Sequence, residues 1–284
     1  MRCVFLFFSA AALVVAASPG QDQARELYQR TEYQRSLGVL LHQPEKDVAT
    51  LRLMGQDYFM LGEYKKATDV LEKAKAREPG NPETLLWLGR AYGRRAETAN
   101  VFTAAGYASK ARQNLEKSVS LDPSNKEATG DLLDFYLEAP GFMGGGFGKA
   151  ETLAETIGKS DPAEGHYARA VIDERRKDFS GAEQQLRRAL ALAPREASRF
   201  VALAKYLGEH GQIKESDALF QEAARMAPND PRVAFDRAQT YVEQKRNLAE
   251  ARDLLKKYLR SPLTPNDPPR EKAQELLKQV AGSG

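Results

Sequence analysis

Apolar residues fall on helical spacing almost from end to end of the chain, and nowhere on the alternating spacing of a strand. Asp47 to Pro79 carries the clearest copy. Leu51, Met54 and Tyr58 mark one face of a helix. Gly62-Glu63 interrupts it. A second run places Ala67, Leu71 and Ala74 on one face, and Pro79 stops it. This predicts a helix–turn–helix hairpin. Two short helices cannot bury their apolar faces alone, so the unit needs neighbours.

The neighbours are in the chain. The second-helix pattern recurs as Ala111/Leu115/Ser118/Pro123, Ala150/Ala154/Ile157/Pro162, Ala182/Leu186/Ala189/Pro194 and Ser216/Phe220/Ala223/Pro228, with a degenerate copy around Ala251, Leu255 and Tyr258. In the first helices, Gly55, Gly89, Ala170, Ala204 and Ala238 hold a small-residue position. Pro194 and Pro228 stand 34 residues apart. The sequence resembles the tetratricopeptide (TPR) repeat, a helix pair of about 34 residues with a W-L-G-Y…A…F…A…P pattern. The resemblance runs from Asp47 to about Pro262. It implies an all-α, right-handed α-solenoid of six to seven helix pairs with a C-terminal capping helix. The core of such an array is the sum of the interfaces between neighbours.

In chain order, residues 19–46 read as an imperfect N-terminal hairpin, and terminal repeats are atypical because one face meets water. Residues 47–262 form the array. The second repeat carries ten extra residues near 94–107, an Ala-rich stretch that predicts lengthened helices around a short turn. The third breaks at residues 139–148, where Gly and Pro disfavour helix. Phe142 and Phe147 are apolar residues on this loop, expected to fold back onto the neighbouring hairpin. The loop resembles a Gly-rich inter-helix loop of some bacterial TPR proteins. Ser261 to Pro269 holds four prolines and reads as an extended breaker, and residues 263–284 take in the rest of it and one amphipathic capping helix.

Residues 1–18 read as a cleaved signal peptide: Arg2, an apolar stretch from Val4 to Ala17, then small residues before Ser18-Pro19-Gly20. The apolar stretch is short of the ~20 residues that span a bilayer. The expected location is periplasmic or secreted, with no membrane span once the signal is removed. The sole cysteine, Cys3, lies in the signal, so neither a disulfide nor thiol chemistry is expected of the mature chain. Net charge is +3 with both signs mixed along every repeat, which argues against a nucleic-acid binder.

No enzymatic constellation stands out. A P-loop needs G-x-x-x-x-G-K-[ST] after a strand; before Gly148-Lys149 the first glycine position is Met143, and Ala150 replaces the hydroxyl. His42, His166 and His210 are scattered without a second ligand at helical spacing, so no metal or cofactor is expected. A hydrolase built on the array would lack any nucleophile–base pair in a recognisable order.

What remains is a binding surface. In TPR arrays the first helix of each pair lines a concave groove, and the residues that the core does not claim face it. These are Arg52 and Phe59 in the first repeat, Leu86, Trp87, Arg90 and Arg94 in the second, and Asp131 and Asp134 in the third. Trp and Arg dominate binding hot spots. Trp87 has a second reading, as padding for the long second repeat. The Lys/Asn clamp with which some TPR domains grip chaperone C-termini is missing, since Arg52, Gln56, Trp87 and Asp131 stand at those positions. The expectation is an exported, non-catalytic scaffold for a protein or peptide; the alternative is a glycan-binding or cell-wall-machinery module.

Overall fold

The computed structural model describes residues 19–281. The expected signal at residues 1–18 lies outside them, as do residues 282–284. The described residues form fifteen α-helices and no strand. An N-terminal hairpin, α1 (Pro19–Gln29) and α2 (Tyr33–Leu41), precedes six units: α3 (Val48–Met60) with α4 (Tyr64–Arg77), α5 (Pro82–Thr98) with α6 (Val101–Leu121), α7 (Lys126–Glu138) with α8 (Phe147–Ser160), α9 (Pro162–Arg175) with α10 (Phe179–Leu192), α11 (Ala197–Glu209) with α12 (Ile213–Met226), and α13 (Pro231–Glu243) with α14 (Leu248–Arg260). A last helix, α15 (Arg270–Ala281), packs on α13 and α14.

The starts are written into the sequence. Asp47, Asn81, Asn100, Asn125, Asp161, Asp178 and Asp230 cap helix N-termini through their side chains, each accepting a backbone N–H of the first turn. Pro82, Pro162 and Pro231 follow their caps, where a missing N–H costs nothing. Within units, Gly62 and Gly211 turn the chain with φ +76 and +80.

The recurring second-helix positions are the core. Leu71, Phe220 and Leu255 are fully buried, as are Ala67, Ala154, Ala182 and Ala251. Ser118 and Ser216, which stand in for alanine, bury their hydroxyls by donating to the carbonyls of Pro82 and Ala204 (2.8 and 2.7 Å). The small first-helix residue has a steric cause: a Cβ on Gly89 would lie 2.6 Å from the Leu115 side chain, so the two helices cross where the second helix needs room.

Each first helix packs on its own partner, and α3 touches α5, α7 touches α9 and α11 touches α13. First helices therefore form one inner surface. Charged pairs link them along it: Arg52 to Glu83 (3.0 Å), Arg90 to Glu127 (2.9 Å) and Asp131 (2.5 Å), Glu138 to Arg175 (3.3 Å), Glu164 to Arg199 (2.5 Å) and Lys205 to Asp236 (3.2 Å).

The third unit departs from the plain loop read at residues 139–148. Gly141–Met143 makes a short 3-10 turn, and α8 already begins at Phe147. Gly145 has to be glycine, because a Cβ there would sit 1.8 Å from the Ala139 carbonyl oxygen. The expectation that both phenylalanines fold back is corrected for Phe142, which is 82% exposed. Phe147 is partly covered, with the Arg176 guanidinium over its ring at 4.8 Å.

Candidate functional site

The inner faces of α3, α5 and α7 enclose a cleft of about 630 Å³. Its floor is aromatic. Phe59 meets Trp87 edge-on with ring centroids 5.3 Å apart, and Phe135 follows from the next first helix. Residues on successive first helices come together here because the helices stack side by side, so one turn of each faces the same space.

Charge surrounds the floor, and most of it is already used. Arg90 lies over the Trp87 ring at 4.8 Å and bridges to Glu127 and Asp131. Burial pushes the Asp131 carboxyl up, and Arg90 pulls it back. Arg94 pairs with Glu97 at 2.5 Å and stacks on Tyr64. Asp134 is the exception: it lines the cleft, is exposed, and makes no hydrogen bond or ion pair among the described residues. Partial desolvation within the cleft and the neighbouring carboxylates of Glu138 and Asp131 push it above the usual carboxylate range, against the pull of Arg175.

The residues read from the sequence thus divide. Phe59, Trp87, Arg90, Arg94, Asp131 and Asp134 line one cleft. Arg52 is committed to Glu83 beside it. Leu86, at 2% exposed, belongs mostly to the core shared with α6, α7 and α8 and is absent from this cleft, but it lines the second cleft described below. Trp87 both lines the cleft and packs, at 9% exposed, in a core with Tyr92 and Ala111 against Tyr107 of the lengthened helices, where Tyr92 and Tyr107 stack with Arg95 over them. Phe142 and Phe147 are absent from the cleft lining. Sequence reasoning missed Phe135, whose helical offset from Asp131 was the available signal. It also missed Arg232, Pro265 and Asn266, which complete the cleft wall from the far end of the chain.

A second cleft opens beside the first. Tyr28, Gln29, Gln56, Glu83, Leu86, Trp87, Asn125 and Glu127 line it together with Thr264, Pro265 and Asn266. Burial and the carboxylates of Asp57, Glu271 and Asp267 push the Tyr33 hydroxyl up to about 12, so the end of the array reaches the electrostatic range of α2.

No group of three His, Cys, Asp or Glu among the described residues is placed to hold a metal. His166 shares a hydrogen bond with the Gln185 amide oxygen (2.6 Å), and His210 stacks on Tyr206. No described helix is long and apolar enough to cross a membrane.

Residues 201–268 match the tetratricopeptide repeat family. These are tetratricopeptide repeats. The TPR fold extends over the rest of the array as well. A tetratricopeptide repeat protein from Parabacteroides merdae superposes with a TM-score of 0.56 at 15% identity, covering 92% of this chain and 97% of its own. A thermophilic TPR protein from Thermus thermophilus superposes with a TM-score of 0.52 at 20% identity, covering 66% of this chain and 97% of its own. No curated protein matches the sequence.

Proposed function

We propose that this TPR protein is an exported scaffold, non-catalytic, that holds a segment of a partner protein in its concave groove. TPR repeats are protein-interaction modules, which sets the class. The cleft over Phe59, Trp87 and Phe135 supplies the place. The single observation that carries the reading is Asp134: an unpaired carboxylate at the rim of an aromatic floor, in a groove whose other charges are matched. Its complement is an apolar side chain flanked by Lys or Arg, with the apolar group on the floor and the cation at Asp134. Trp87 is only 9% exposed, which leaves a glycan without an open stacking platform.

In-cell photo-crosslinking tests this reading. A photoreactive residue at Met60, in the cleft wall, is expected to trap one dominant protein, and the same residue at Lys117, exposed on α6, is expected to trap none. Adding Asp134→Asn to the position-60 variant should sharply reduce the adduct. Equal labelling from both positions, no adduct from 60, or an adduct indifferent to Asp134→Asn would sink the proposal.

A further inference from the structure

The link between α14 and α15 does more than join two helices. Thr264-Pro265-Asn266-Asp267 is a β-turn, closed by the Asp267 N–H donating to the Thr264 carbonyl at 3.0 Å. The Asp267 carboxylate accepts from the Thr264 N–H and hydroxyl (2.7 and 2.9 Å). Proline at the second position and asparagine at the third make the turn stiff before anything holds it. Its stems are anchored in the C-terminal half. Leu263 is buried with α13, α14 and α15, the Tyr258 hydroxyl donates to the Pro268 carbonyl, and Arg232 reaches Asp267 at 3.8 Å. The sequence reads this segment as an extended breaker; the turn is the correction, produced by Asp267 satisfying the Thr264 donors.

The tip of the turn points elsewhere. Pro265 and Asn266 stand in the wall of the cleft floored by Phe59, Trp87 and Phe135, and again in the cleft lined by Tyr28, Gln56 and Trp87. Nothing bonds the tip to that side: Thr264, Pro265 and Asn266 make no hydrogen bond or ion pair with α1 to α7 among the described residues. The turn is held firmly from one end of the array and only rests against the other.

We propose that this turn is a strap across the partner groove. In the free protein it covers the aromatic floor beside Trp87. A partner segment enters when the array opens and carries the strap away. The seating of the strap stands by itself; its gating of a partner rests on the groove-binding function proposed above.

Trp87 is the sole tryptophan and Cys3 the sole cysteine, so the seating can be read directly. On a Cys3→Ser background, Asn266→Cys is labelled with a nitroxide and the emission of Trp87 is recorded, with Lys117→Cys as the control. Loss of most of the emission from position 266 alone is expected. Equal emission from both labels would overturn the seating. Loosening the tip with Pro265→Gly should raise the quenching of Trp87 by acrylamide, and unchanged quenching would count against the strap. The same Pro265→Gly change should increase the adduct trapped from position 60. An adduct that forms but does not increase would overturn the gating and leave the groove function standing. No adduct in either protein would remove the groove function and the gating together, while the nitroxide result would still decide the seating.

Discussion

The first three units and the last three share one plan but place their aromatic residues differently. In the last three, Phe220, Phe235, Tyr241 and Tyr258 are buried between helices, all at 1% exposure or less. They fill repeat positions, and residues 201–268 are where the family match falls. In the first three, Phe59, Trp87 and Phe135 stand on the inner face and floor a cleft, while Tyr92 and Tyr136 hold the repeat positions. The N-terminal half also carries the lengthened second unit, the Gly-rich turn and a buried carboxylate, Asp57. The last three line a smaller inner cleft of about 220 Å³ with Tyr167 and Tyr206, and spend Phe220, Phe235, Tyr241 and Tyr258 on neighbour contacts. The first three, which turn Phe59, Trp87 and Phe135 toward the groove, have given up regularity for a surface.

Three measurements break or sharpen this contrast. The largest effect is expected from Phe220→Ala. The side chain is fully buried between α11, α12 and α13, so truncation leaves a cavity and costs about 3–5 kcal/mol. Urea unfolding followed by circular dichroism should show the midpoint fall. Trp87 fluorescence should then report an N-terminal half that unfolds later than the C-terminal half, since repeat arrays lose cooperativity at a weakened interface. Coincident transitions would show that the two halves are one cooperative unit.

The second effect concerns Asp57. One carboxyl oxygen accepts from the Ser36 hydroxyl at 2.8 Å and the other is buried without a partner. Burial pushes this carboxyl from 3.8 up to about 7, against the opposing Ser36 bond. The sign follows from proton binding. Between the unfolded and folded values the native state holds a proton that the unfolded chain has released, so stability falls as pH rises from about 4 to 7 and is level beyond. Asp57→Asn removes this ionisation. It should stabilise the protein by about 2 kcal/mol at pH 8, do little at pH 4, and flatten the profile between. Melting temperatures across that range decide it, and an unchanged slope would mean that Asp57 is not the group responsible.

The third is smaller. Gly89→Ala supplies the residue found at the equivalent Ala204 and Ala238, yet its Cβ would meet Leu115 at 2.6 Å. A loss of about 1–2 kcal/mol is expected from overpacking, measured by thermal melting. A neutral result would show that Leu115 can move aside.

Much of the architecture was legible because it is local. The Ala/Leu/Ala positions recur at helical spacing, Asn and Asp stand at helix starts, and glycine or proline stands at most breaks, so each hairpin could be read in its own residues. Leu86 was read as open to the groove; one step from Trp87 on α5, it is 2% exposed and lies mostly in the core with α6, α7 and α8, because each sequence step on a helix turns the side chain to another face. Phe142 was expected to fold inward because it is apolar. The Gly144 and Gly146 backbone, at φ +98 and +138, instead carries the chain outward and then into α8 without giving that ring a neighbour. The roles of Arg52 and Arg90 were hidden as well. A cation on a groove face reads as free until the next first helix places Glu83 or Asp131 against it.

The sequence by itself determined that the chain is a helical array and where its units begin. It could do so because every one of those properties is settled within about 34 residues by periodicity, capping and breakers. Tertiary structure alone decided which charges neutralise one another, that Phe59, Trp87 and Phe135 share one floor, and that a turn at residues 264–267 closes over it. The physical reason is accumulation. Each unit adds a small rotation to the one before, and the sum of those rotations, written in no single repeat, brings Pro265 and Asn266 to the same cleft as Trp87.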